Sequence, residues 1–134
     1  MLEIIARLVA LKNTVKLYHW NIIGNTFNSD HPYLDEIGEP IDGFIDEIVE
    51  KYFMATKRED LPLLFDILIK DSTNFYGVYT NNPEEIFKHV KNLIIDLQDK
   101  IEEVDSYRGV NAILDEISAH LLKYLGLIKS RLSE

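Results

Sequence analysis

The chain predicts an all-α fold: a bundle of four long helices, with a short extra helix in the crossover between the second and third of them. Three observations lead there. Every long segment repeats its apolar residues with the period of a helix, no segment alternates as a half-buried strand would, and one long connection lies between two short ones. With 134 residues the chain forms one domain over 1–134, and 46% hydrophobic against 28% charged residues is the balance of an ordinary core and surface.

The first helix runs from residue 2 to about 23 on a stripe of Leu2, Ile5, Leu8, Val9 and Val15, interrupted by Lys12 and Lys16. Gly24 and Asn25 end it as a left-handed cap. A second helix starts near Pro32, a comfortable first helical position, with Ser29 or Asp30 as the cap. Its apolar face is Leu34, Ile37, Ile41, Phe44, Ile45, Ile48 and Tyr52, and Pro40 should kink it. "REDLPLLFDILIK" supplies the short extra helix after Asp60, and "DSTNFYGVYTNNPEE" reads as loop closing on a start signal of Asn82, Pro83 and Glu85. Ile86 to Val104 carry the third long helix until Gly109 breaks it, and Ile113 to Ile128 carry the last. A bundle with this crossover follows the ferritin-like plan.

Composition removes several classes of function. Without cysteine there is neither a disulfide framework nor a thiolate zinc site, which agrees with a reducing, cytoplasmic setting. A net charge of -9 disfavours nucleic acid, whose phosphates need a basic patch, and favours cations. No apolar run reaches the length of a membrane span, and Glu3 and Arg7 interrupt the opening segment, so neither a span nor a signal peptide is expected.

The chemistry-bearing residues are His19, His31, Asp46 and Glu50, in that order along the first two helices. Imidazole and carboxylate together suit iron, manganese or zinc, and Asp46 and Glu50, four apart, point from one helix face. The Glu-x-x-His pairs of the usual di-iron bundle are absent: Glu85 and His89, like Glu116 and His120, are four apart rather than three. His89 and His120 are read as caps or surface residues. His31 and Asp46 are fifteen residues apart, roughly 22 Å along a helix. One straight helix cannot bring both to one metal, whereas two antiparallel copies across a two-fold axis near Glu39 and Pro40 can, with Gly38 and Gly43 leaving room for approach. Each of the two equivalent sites would then take His19 and His31 from one subunit and Asp46 and Glu50 from the other.

The stretch "YHWNIIGNTFNSDHPYLDEIGEPIDGFIDEIVEKY" resembles the miniferritins, the Dps or starvation-induced DNA-protection family. Their pattern is a His-Trp pair, a second His twelve residues on, then Asp-x-x-x-Glu. His19, His31, Asp46 and Glu50 fall on the four ferroxidase positions, Trp20 on the adjacent tryptophan, and Asp35 on a position that is often acidic and assists the second iron. The likeness runs the length of the chain, with "NAILDEISAHLLKYLGLI" similar to the family's last helix. It implies a dodecameric homo-oligomer that oxidises Fe(II) with hydrogen peroxide or dioxygen at a di-iron site on the two-fold interface and stores the ferric product in a hollow shell. His19 and His31 would supply nitrogen ligands, Asp46 a terminal or bridging carboxylate, Glu50 the bridge, and Trp20 either packing or an electron.

The sequence departs from that pattern in four places. Ala112 stands where an acid near the three-fold pore is common, Gly126 where a tryptophan is, and Pro40 is unusual in the second helix. The chain also begins almost directly with helix one, lacking the Lys-rich arm that some members use on DNA, so duplex DNA is not an expected partner. The second reading, supported by Ala112 and Pro40, is a non-catalytic helical assembly or interaction protein that keeps the miniferritin fold.

Overall fold

The computed structural model describes residues 1–70 and 78–134. It is all-helical, with no strand among the described residues. The elements are α1 (Leu2–Asn21), α2 (Phe27–Gly38), α3 (Ile41–Ile48), α4 (Leu63–Phe65), α5 (Pro83–Glu102) and α6 (Arg108–Arg131). Wider turns, of the kind that bond five residues back rather than four, extend α3 over Val49–Met54 and α4 over Asp66–Lys70. α1 lies against α2, α3 and α5, and α6 lies against α5 and α3. One core fills the space between them, with Leu8, Leu34, Ile48, Val90, Ile94 and Ile117 fully buried.

The apolar stripes of the sequence are the buried faces, but several boundaries move. α1 ends at Asn21, and Gly24 turns the chain with φ +122°, a conformation that glycine tolerates and side chains do not. α2 begins at Phe27, a turn earlier than Pro32, so the expected start at Pro32 and caps at Ser29 or Asp30 are corrected. The reason is Asp30. Its carboxylate accepts hydrogen bonds from the Thr26 hydroxyl, 2.5 Å away, and from Arg131 of α6 at 3.0 and 3.2 Å, which pulls the first turn of α2 onto the end of α6. Pro32 then sits in the second turn, where only the Asn28 carbonyl loses its donor.

Pro40 does interrupt the second long helix, dividing it into α2 and α3. Gly38, expected to serve an approach between subunits, is used within the chain: a Cβ there would meet Val15 Cγ2 at 2.8 Å. Gly43 faces open space.

At the start of α5 the Asn82 side chain accepts from the Glu85 N–H at 3.1 Å, as its cap signal predicts, while the Glu85 carboxylate accepts from Thr80. The expected loop over 71–85 is irregular chain from 78 to 82, and its residues 71–77 lie outside the described residues. Gly109 does not break a helix. It lies in the first turn of α6, and the break falls at 103–107, where Asn111 accepts from the Ser106 N–H and donates to Asp105 and the Ser106 carbonyl.

Candidate metal centre

Two imidazoles meet where the end of α1 crosses the start of α2. The rings of His19 and His31 stack with centroids 3.6 Å apart and planes 14° from parallel. Each ring's Nδ1 contacts the backbone carbonyl of the other residue, a reciprocal pair of hydrogen bonds. A carbonyl can only accept, so each Nδ1 carries a proton, and in the neutral form of each ring Nε2 keeps a lone pair. That is the arrangement in which a ring is oriented by one nitrogen so that the other can take a metal. Phe27 stacks on the far face of the pair, 4.8 Å from His31.

Asp35, one turn along α2 from His31, stands within the electrostatic reach of both rings. Its carboxylate accepts from Lys16 Nζ at 2.6 Å, and that bond holds it below the usual carboxylate range, with the positive forms of the two histidines adding to the effect. The same ammonium lies 5.8 Å from the centroid of the Trp20 ring. Lys12 pairs with Asp42 at 2.8 Å along the same side of α1, so two ion pairs line a groove of about 380 Å³ beside Gly38 and Glu39.

The acids of the set are elsewhere. Asp46 lies on α3 and Glu50 on the wider turn that follows, both exposed, and among the described residues neither side chain makes a hydrogen bond or ion pair within the chain. Nor, among the described residues, do three carboxylates or imidazoles gather into a closed ligand set. Trp20 is not core packing: it is 66% exposed. Leu17, Ile23 and Phe27 are exposed with it, so the His19–His31 pair sits beside a rim of apolar side chains.

The other two histidines have structural partners. The Tyr18 hydroxyl donates to the Val78 carbonyl at 2.9 Å and lies 2.7 Å from His89 Nδ1. His120 Nε2 donates to the Ile37 carbonyl at 2.9 Å. Lys16 is the site residue that the apolar stripe hid, although its position three residues before His19 puts both on one face of α1, as Asp35 shares a face with His31 four residues earlier.

No helix among the described residues is long and apolar enough to cross a membrane. Comparison with protein-family models, with curated proteins and with solved structures finds no match for the chain.

Proposed function

We propose that the chain is a cytoplasmic ferroxidase and iron-storage protein of the miniferritin kind, a ferritin-like four-helix bundle that acts as a closed homo-oligomer, expected to be a dodecamer. The observation that carries this reading is the reciprocal bonding of His19 and His31, which leaves two Nε2 lone pairs beside an ionised Asp35. Rings stacked as near-parallel planes 3.6 Å apart cannot both turn an in-plane nitrogen on one ion. Each serves its own, and two ions at about 3.5–4 Å is the spacing of two-metal sites. Asp46 and Glu50 from a two-fold copy would complete the pair of coordination shells, which accounts for their lack of partners among the described residues. The apolar rim of Leu17, Trp20, Ile23 and Phe27 suits a surface that a copy covers.

The bundle topology is supported by the short connections from α1 to α2 and from α5 to α6, which make antiparallel neighbours, and by the long stretch with its small helix between α3 and α5. In the reaction, two Fe(II) each give one electron to a hydrogen peroxide, whose O–O bond breaks to leave two hydroxide ions, and the ferric product hydrolyses and mineralises. Dioxygen is the alternative oxidant, taking four electrons from four Fe(II) on full reduction to water. Duplex DNA is not a partner on this reading, given the net charge of -9.

Anaerobic titration of the apo-protein with Fe(II), followed by peroxide or air, is the test. Binding of about two Fe(II) per chain in an assembly many times the mass of one chain, with oxidation on adding either oxidant, is the expected outcome. A monomer in light scattering that binds no Fe(II) would leave the non-catalytic helical protein as the better reading.

A further inference from the structure

The break at Pro40 separates the two kinds of ligand. His31 and Asp35 lie before it on α2, and Asp46 and Glu50 after it on α3 and its wider extension. Proline has no N–H to give the Glu36 carbonyl, and its ring crowds that oxygen, so the chain leaves the helix at Glu39 and re-enters at Ile41. The backbone amides that carry it through are Glu39, bonded to Asp35 at 3.0 Å, and Phe44, bonded to Pro40 at 3.1 Å. In an unbroken helix the Ile37 carbonyl would accept from the Ile41 N–H. Here it accepts from His120 Nε2 of α6 at 2.9 Å.

His120 touches both sides of the break. Its Nε2 holds the last turn of α2, while its ring meets Phe44 of α3 edge-on, with centroids 5.7 Å apart and planes at 67°. Tyr124, a turn further along α6, lies 4.9 Å from the ring on its other flank. Opposite, α1 supports the break through Gly38, which Val15 approaches too closely for any Cβ. The bend is therefore clamped between α1 and α6, and among the described residues the side chain that bonds the freed carbonyl is His120.

We propose that His120 is a positioning residue of the metal centre: its hydrogen bond to the Ile37 carbonyl sets the bend at Pro40, and so the register at which the acids of one subunit meet the histidines of its copy. The inference rests on the two-fold reading above. Because each subunit gives one half to each site, any change of bend enters both sites of a pair at once.

The test reads Co(II), a spectroscopic stand-in for Fe(II), on the apo assembly, together with light scattering. His120→Phe keeps a ring against Phe44 and removes the donor; His120→Gln keeps a donor near the Nε2 position; Pro40→Ala restores an N–H at position 40 and lets Ile41 close on Ile37. The expected result is that His120→Phe stays assembled, binds Co(II) about 10-fold more weakly or worse, and alters its ligand-field bands, while His120→Gln returns affinity to within about 3-fold of wild type. In the Pro40→Ala background His120→Phe should cost nothing further, because the carbonyl then has a backbone donor. Should the Phe variant fail to assemble, His120→Asn, too short to reach the carbonyl, replaces it against His120→Gln. Equal Co(II) affinity and bands in wild type and His120→Phe overturn the assignment and leave the ferroxidase reading standing. So does an equal cost of His120→Phe with and without Pro40, which marks ordinary packing. A wild type that takes up no Co(II) overturns both.

Discussion

The two halves of the proposed centre are built in opposite ways. On the α1–α2 side His19 and His31 hold each other through both backbones, Phe27 covers one ring, and Lys16 fixes Asp35. On the α3 side Asp46 and Glu50 project from an exposed surface with no partner of their own among the described residues. A side chain already held has lost its rotamer freedom during folding, whereas a free carboxylate loses it only on binding. The contrast teaches which half is a template and which is an arm. The histidine half is preformed in each chain, and the acidic half would be ordered only on meeting a metal and a copy of the chain.

The largest effect to expect from that asymmetry is in iron oxidation. His31→Ala and Asp46→Ala should each slow Fe(II) oxidation by about 100-fold or more, the range in which losing even a supporting group of a metal site falls. Their thermal melts should differ: His31→Ala removes half of the reciprocal pair and the stack with Phe27, and lowers Tm, while Asp46→Ala leaves it within about 1 °C. Co-assembling the two variants should return up to about half of wild-type activity per mixed two-fold pair, roughly a quarter overall at random 1:1 mixing, since one site of each mixed pair receives both intact halves. A mixture as inactive as either variant, with assembly intact, would show that the two halves do not meet across subunits.

Next is the anchor that places His31. Asp30 is 4% exposed and its charge is met by Arg131, so Arg131→Ala leaves a buried carboxylate with the Thr26 hydroxyl alone. It also removes the guanidinium lying 5.3 Å from the Phe87 ring. Since the Arg131 side chain is itself 35% exposed, about 2 kcal/mol is expected rather than the larger cost of a fully buried pair, seen as a Tm lower by roughly 6–8 °C. An unchanged melt would mean that α2 does not depend on the end of α6.

The sequence carried more of the fold than of the site. Heptad-like spacing such as Ile86, Val90, Ile94, Leu97 and Ile101 reports burial directly, because a helix repeats its face every three or four residues, and those residues are buried. Asn82, Pro83 and Glu85 were legible because a cap is a local matter of one hydrogen bond. The start of α2 was misread because what decides it is Arg131, about a hundred residues away. Gly109 was misread because the break is fixed before it, where the Asn111 side chain accepts from the Ser106 N–H and shapes the connection between α5 and α6. His19, His31, Asp46 and Glu50 could be grouped by residue type and order, and Asp35 only through the family resemblance, but neither the ring stack nor the bond from His120 to the Ile37 carbonyl has any local signature.

A smaller effect separates Lys16 from the ligands it borders. Lys16 competes with any cation for Asp35, so Lys16→Met should raise Co(II) affinity at neutral pH, by up to about 5-fold for a half-exposed ion pair. The acid limb gives the sign. Asp35 is depressed in the folded chain, so its stabilising contribution is present above the ordinary aspartate value of about 3.9 and is lost as pH falls through the lower folded value. Without Lys16 that loss should begin at higher pH, visible as an acid-unfolding midpoint displaced upward. A variant with weaker Co(II) binding would make Lys16 a support of the site rather than its competitor.

The smallest effect lies behind the template, where α2 meets α6. The Tyr33 hydroxyl is buried without a protein partner among the described residues, while its ring packs edge-on against Phe87 and Tyr124. Burial, with the nearby Tyr124 and Glu36, pushes the phenol up to about 12. Because the folded value is raised above the ordinary one near 10, the folded chain keeps a proton that the unfolded chain gives up. The stability this represents is whole below about pH 10 and drains away as pH rises toward 12. Tyr33→Phe keeps both ring contacts and removes the unpaired hydroxyl, so it should stabilise the chain by about 0.5–1 kcal/mol at neutral pH. It should also flatten the alkaline limb relative to wild type, although Tyr124, raised by its own burial beside Glu36, keeps part of the slope. Chemical denaturation at pH 7 and at pH 11 reads both. A destabilised variant at pH 7 with an unchanged alkaline limb would show that the hydroxyl is bonded, and that the back of the histidine half is held by Tyr33 as well as by Arg131.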